Sequence, residues 1–223
     1  ASLPQSSGCP GCDGSGGTLG DWRNVVTFIA DDEDGPLHVP PAESFANYIN
    51  TYHKAYNIDK IYLDAYKQIS TPAGQRYPDV NDAINKRVNK GSLIINYVGH
   101  GGETGWAEER VLTNDDINSW TNINKLPVFI TATREFSRWD DPARTSTEKK
   151  ILLSSTGGGV ALFSTTRLVF ASSNEVLNRA LIKFMFDDPS FRLGDIMVAS
   201  KTDPGNLNLN TRNFSLLGDP ALR

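Results

Sequence analysis

The sequence predicts an α/β domain built on an open, mostly parallel sheet with helices on both faces. Short apolar runs rich in Val, Ile, Phe and Tyr recur at residues 25–30, 58–65, 92–98, 127–133 and 159–165, each of strand length. Stretches with apolar residues at helical spacing lie between them. Parallel strands need long crossover connections, usually helical, and this alternation supplies them.

The chain has 223 residues, 39% hydrophobic and 22% charged, enough to bury a substantial core. Its net charge of −4 gives no basic field for a phosphate backbone, so nucleic acid is not an expected partner. No apolar run approaches the ~18 residues needed to span a bilayer. No charged region followed by an apolar one opens the chain in the manner of a signal peptide. Residues 1–20 read as a flexible Gly/Ser-rich leading segment, and residues 21–223 as a single domain. The only two cysteines, Cys9 and Cys12, form a CxxC within the leading segment. A redox pair needs a strand before it and a helix after it, and a zinc knuckle needs two more ligands, so a local disulfide or two idle thiols is the simpler reading.

In order, the strand at 25–30 ends in Asp31-Asp32-Glu33-Asp34. Four carboxylates supply the oxygen ligands that calcium uses, but the run lacks the spaced loop of an EF-hand and reads first as a solvated turn. No other metal or cofactor is implied. A sheet-covering helix follows over 41–57, with Phe45, Ile49, Tyr52 and Tyr56 on one face and His53 at the surface. A polar connection at 70–78 leads to a second helix at 80–89, with Ile84 and Val88 on its buried side. Further helices are expected at 115–120, 146–153, 174–186 and 193–201.

The run GSLIINYVGHGG at 91–102 organises the rest: a buried strand stops at Gly99-His100-Gly101-Gly102. A histidine between glycines at the carboxyl end of a parallel strand sits where open α/β sheets place ligands and catalysis, and the glycines allow close backbone approach. The loops after the strands gather on one edge. His100, the segment Arg134-Glu135-Phe136-Ser137, and Thr166-Arg167 should therefore converge. A histidine after one central strand and a nucleophile after the next is the arrangement of caspase-like cysteine peptidases.

The runs NYVGHGGETGWAEERVLTNDDINSW, LPVFITATREFSRWDDPARTS, GGGVALFSTTRLVFASSNEVLN, LGDIM and NFSLLGDPALR resemble the gingipain peptidase family, in order, from about Trp22 to Arg223. Within that family they resemble the sortases of the type IX secretion system. That resemblance implies the caspase-like part of a larger, outer-membrane-associated enzyme on the bacterial cell surface. It implies an endopeptidase that acts on protein substrates bearing C-terminal sorting domains, alongside other secretion-system components. It assigns His100 as general base and acid, and the backbone N–H groups of Gly101 and residue 134 as the oxyanion hole. Glu135, Asp140 and Asp141 become candidates for orienting or balancing charge. Trp106, Thr166 and Arg167 become candidates to line the substrate cleft, although Trp106, Trp120 and Trp139 also suit loop packing.

One departure matters. The family's TATCEFS carries the nucleophilic cysteine, and this chain reads Thr131-Ala132-Thr133-Arg134-Glu135-Phe136-Ser137. A guanidinium stays protonated and has no usable lone pair, so Arg134 cannot attack a carbonyl. Cys9 and Cys12 lie outside the motif, and Ser137 is three residues away from the nucleophile position. The expectation is a peptidase-family domain with lost chemistry; the alternative is a binding or scaffolding module of the same fold. An unrelated hydrolase or nucleotide binder is disfavoured, since the chain has no GxSxG, P-loop or GxGxxG.

Overall fold

A computed structural model of the chain describes residues 20–102, 105–133, 147–167, 171–206 and 209–223. In chain order the elements are β1 (Val25–Ala30), α1 (Val39–Tyr52), β2 (Asn57–Tyr62), β3 (Ile69–Thr71), β4 (Gly74–Arg76), α2 (Pro78–Lys90), β5 (Ile94–Val98), β6 (Gly101–Gly102), β7 (Gly105–Trp106) and β8 (Leu112–Thr113). They continue with α3 (Asn114–Ser119), β9 (Val128–Ala132), α4 (Thr147–Leu153), β10 (Ala161–Thr165), α5 (Ala171–Asp187), α6 (Leu193–Thr202), α7 (Leu209–Arg212) and β11 (Phe214–Gly218).

The five apolar runs become β1, β2, β5, β9 and β10 of one sheet, ordered β2-β1-β5-β9-β10-β11. Every pair is parallel except β10 with β11. Alternation along each strand feeds two cores. Val26, Phe28, Ala30, Ile94, Val98, Ile130 and Phe163 face one core, filled by Phe45 and Ile49 of α1, Leu177 and Leu181 of α5, and Ile196 of α6. Ile29, Ile95, Tyr97, Phe129 and Leu162 face the other, against Val80, Ile84 and Val88 of α2, Ile117 of α3, Trp120 and Ile151 of α4. Each fully buried large apolar side chain contributes roughly 1.5–3 kcal/mol of transfer free energy. The predicted sheet with helices on both faces is what the chain forms.

Differences from the expected elements have local causes. The run at 58–65 stops as a strand at Tyr62, and Leu63–Ala65 tighten into a 3-10 turn. The helix expected at 41–57 starts earlier, because Pro40 and Pro41 fit a first turn that needs no N–H donors. It also ends earlier, at Tyr52, where His53 leaves helical geometry with φ −129° and ψ 58°. Pieces not foreseen include the β3-β4 hairpin, the small β6-β7-β8 sheet, the short helix α7 and the antiparallel edge strand β11. Strand β1 has β2 on one side and β5 on the other. Chain order reverses there, and the crevice outside the carboxyl ends of β1 and β5 is the switch point at which such sheets bind ligands.

Candidate active site

Asp31 is the residue immediately after β1, and His100 follows β5 by two residues. Ala30 stands opposite Val98 in the parallel register, and the Asp31 N–H donates to the Val98 carbonyl at 3.1 Å. This ties the two strand exits together at the switch point. Asp31 is fully buried. Its Oδ2 accepts from the His100 backbone N–H at 2.8 Å and lies 2.9 Å from His100 Nδ1, while Oδ1 accepts from the Asp32 N–H at 2.9 Å. The other ring nitrogen, Nε2, is 3.0 Å from Asp34 Oδ2, and Glu33 Oε2 is 3.7 Å from Nδ1.

Carboxylates therefore flank both nitrogens of a ring whose side chain is 22% exposed. The hydrogen bond to Asp31 raises the His100 pKa above its ordinary value; burial opposes this, and the charges of Asp31, Asp34 and Glu33 reinforce it. Burial pushes the Asp31 carboxyl up, but the side-chain and backbone hydrogen bonds from His100, with the charges of His100 and His38, bring it below the usual range. The two groups stabilise each other's charged forms. These carboxylates come from the acidic run that follows β1.

Two features fix this geometry. At Gly99 a Cβ would lie 2.5 Å from Asp31 Cβ and 2.6 Å from Tyr97 Oη, so only glycine lets the β5 exit pass this close to the aspartate. Tyr97 is fully buried; its ring stacks on Trp106 with centroids 4.4 Å apart, and its hydroxyl donates to the His100 carbonyl at 2.6 Å. Burial raises the phenol pKa well above normal, so the group remains a donor. A third side chain joins from the start of α1: His38, also buried, meets the His100 ring edge-on with centroids 4.9 Å apart.

On the far side of His100, β5 pairs with β9, Val98 facing Ala132. A Cβ on Gly101 would meet Thr133 Oγ1 at 2.8 Å, so the two strand exits pass in contact. Gly101 faces Trp106 across β6-β7, and the Ala107 N–H donates to the His100 carbonyl at 2.9 Å. That bond marks Gly101–Trp106 as a non-hydrogen-bonded pair, in which the Gly101 N–H points away from β7.

The family model described as Peptidase family C25 matches residues 13–223. The chain belongs to this family. It is a gingipain-like cysteine peptidase family domain. Its fold is similar to the crystal structure of the Arg-specific cysteine proteinase gingipain R, with a TM-score of 0.72 and 21% identity over 92% of this chain and 48% of that one. It is similar also to the complex of Porphyromonas gingivalis RgpB pro- and mature domains, with a TM-score of 0.73 and 18% identity over 92% of this chain and 49% of that one. A third solved structure, a protease, gives a TM-score of 0.69 at 16% identity over 95% and 49%. The chain spans about half the length of these structures. No curated protein matches it.

In this C25 domain the sequence-derived site residues divide. His100 and Gly101 lie at the switch point as described. Arg134, Glu135, Ser137, Trp139, Asp140, Asp141, Cys9 and Cys12 lie outside the described residues. Trp106, a candidate to line the cleft, is fully buried beneath His100 and stacked on Tyr97, so it braces the site from within and offers no face to a substrate. Trp120 is likewise core, donating through Nε1 to Asn85 Oδ1 at 2.7 Å. Thr165 is buried and its hydroxyl donates to the Thr133 carbonyl, tying the exits of β9 and β10. The Thr166 N–H and hydroxyl both donate to the Asn213 carbonyl, at 2.7 and 3.1 Å, which anchors the segment leading into β11. Arg167 is exposed, and its Nη1 donates to the Thr166 carbonyl at 2.7 Å.

The acidic run is the largest correction. It is no solvated turn: Asp31 is buried on His100, Asp34 reaches Nε2, and Asp32 Oδ2 accepts from the Tyr77 hydroxyl at 2.6 Å. His53 is partly buried rather than on the surface. Its Nε2 is 3.1 Å from Asp187 Oδ1, at the opposite end of α1 from His38. Sequence reasoning overlooked Asp31, His38 and Tyr97 as parts of the site. The signal for Asp31 was available: it is the first residue past an apolar strand that neighbours the histidine's strand.

Proposed function

We propose that residues 21–223 form the caspase-like, histidine-bearing part of a larger cysteine endopeptidase of the PorU type, the type IX secretion sortase, with covalent chemistry blocked by Arg134. In this reading the enzyme works at the bacterial cell surface, associated with the outer membrane, on secreted proteins that carry C-terminal sorting domains. The observation that carries it is the Asp31–His100 pair at the switch point, beside the strand that leads to position 134.

The chemistry follows from that pair. A cysteine at position 134 would give its proton to His100, and Asp31 would hold the resulting imidazolium in place through Nδ1. The thiolate would attack the scissile carbonyl, with the Gly101 N–H and the N–H of residue 134 receiving the developing oxyanion. His100 would then return the proton to the leaving amine. Asp31 takes the orienting role first considered for Glu135, Asp140 and Asp141, which leaves Glu135 a secondary candidate beside the nucleophile. Thr166 and Arg167 remain candidates to border the cleft. Arg134 supplies no electron pair, so the chain as it stands should not cleave.

A cleavage assay on a substrate ending in a C-terminal sorting domain, run with this chain and with Arg134→Cys, tests the proposal. Turnover only by Arg134→Cys, abolished by His100→Ala, is the expected result. Cleavage by the Arg134 chain that thiol blockers leave unaffected would overturn it. Tight binding of the same substrate by both versions without any turnover would instead favour a recognition module that holds a cargo tail.

A further inference from the structure

His38 is the member of the cluster that peptidase chemistry does not use. It is the N-cap residue of α1, yet it makes no side-chain cap, is only 6% exposed, and turns its ring onto His100. Asp31, His38 and His100 each present a ligand-capable atom, and these atoms lie within 4.8 Å of one another. The donors come from three separate segments: the exit of β1, the start of α1 and the exit of β5. The sheet and α1 thus assemble the set, which is not a local run of acidic residues.

The donor chemistry selects the ion. Two imidazoles and one carboxylate suit zinc and its transition-metal neighbours, whereas calcium and magnesium prefer all-oxygen shells. Bonds of about 2.0–2.2 Å in a tetrahedral site put ligand atoms roughly 3.3–3.5 Å apart. Closing the cluster therefore asks for side-chain shifts of about 1 Å or so, within reach of small χ rotations. Three protein ligands leave a fourth position, and the 22% exposure of the His100 side chain gives access from solvent. Metal-bound histidines usually donate their other ring N–H to a carboxylate. Asp34 Oδ2, 3.0 Å from Nε2, supplies that partner when the ion takes the Nδ1 side shared with Asp31.

We propose that Asp31, His38 and His100 form a binding site for one divalent transition-metal ion of the zinc class. Binding does not depend on the chain being a peptidase. If it is one, the ion occupies the general base and acts as a reversible off-switch.

The test is titration of the full chain with Zn2+ and Co2+ by calorimetry and visible absorption. Cys9→Ser and Cys12→Ser are present throughout, so that no thiolate site can answer. The expected result is one ion per chain, with a Co2+ spectrum free of thiolate charge-transfer bands. His38→Asn should weaken binding at least about tenfold, the loss seen when even an outer-shell partner is removed. His53→Asn, which changes the remaining histidine of the chain, should leave it unaltered. NMR of the imidazole signals on Zn2+ addition covers the case of a variant that fails to fold: His38 and His100 resonances should shift and those of His53 should not. No binding, binding that survives His38→Asn, or shifts confined to His53 would each overturn the assignment.

Discussion

Replacing Asp31 by asparagine keeps the shape of the side chain and removes its charge. Asp31 accepts from four N–H groups through two oxygens: the His100 backbone and Nδ1 at Oδ2, and the Asp32 and Glu33 backbones at Oδ1. Asparagine has one acceptor oxygen, so whichever way the amide is placed, at least one buried donor faces an NH2 group. An orphaned buried donor costs roughly 1–3 kcal/mol, and hydrogen bonds to a charged acceptor contribute about 1.5–3 kcal/mol. We expect a loss of about 2–4 kcal/mol, which for a chain of this size lowers Tm by roughly 5–15 °C.

The loss depends on pH. His100 has its pKa raised in the folded chain, so its contribution is complete below the unfolded value near 6.5 and disappears as pH rises through the folded value. Asp31 has its pKa lowered, so its contribution is present above the unfolded value near 3.8 and disappears as pH falls through the folded one. The Tm difference between the two versions should therefore be greatest between about pH 4 and 6.5 and narrow as pH rises through the raised His100 value. Thermal unfolding followed by circular dichroism, with an NMR titration of His100, measures both effects. A Tm within about 2 °C of the parent at every pH, with the His100 titration unmoved, would refute the pairing.

Gly99→Ala should destabilise by about 1–3 kcal/mol, since the new methyl collides with Asp31 and Tyr97; denaturant unfolding measures it, and the His100 pKa should fall as the aspartate is displaced. Tyr97→Phe removes the donor to the His100 carbonyl while keeping the stack on Trp106. It should cost about 0.5–1.5 kcal/mol by the same assay, with the fold retained. Trp106→Ala should cost about 3–5 kcal/mol, as expected of a core residue, and urea unfolding will separate it from a surface cleft residue, whose loss would be near zero.

Most of the sheet was legible because its inner strands are buried on both faces and read as unbroken apolar runs such as IINYV and ALFST. The β3-β4 hairpin was not, because IST and GQR carry no apolar alternation around their turn. Strand β11 was legible as a motif but not as an antiparallel edge, a matter of pairing partners that the local pattern does not encode. The site shows the same division. His100 stood out through its glycines at a strand exit. The acidic run hid its most important member, because a buried aspartate and three more accessible acids look alike in sequence. Trp106 follows Gly105 directly, close to the histidine in sequence, and only its burial and the Tyr97 stack reveal that it points inward.

We propose that Asp31 and His100 activate a nucleophile placed at position 134. The most direct measurement is the pH dependence of alkylation of Arg134→Cys, made with Cys9→Ser and Cys12→Ser so that a single thiol responds. Reaction with iodoacetamide should titrate clearly below the ~8.5 of a free thiol, and His100→Ala should move the midpoint back towards that value. A midpoint at or above ~8.5 that His100→Ala leaves unchanged would contradict the claim.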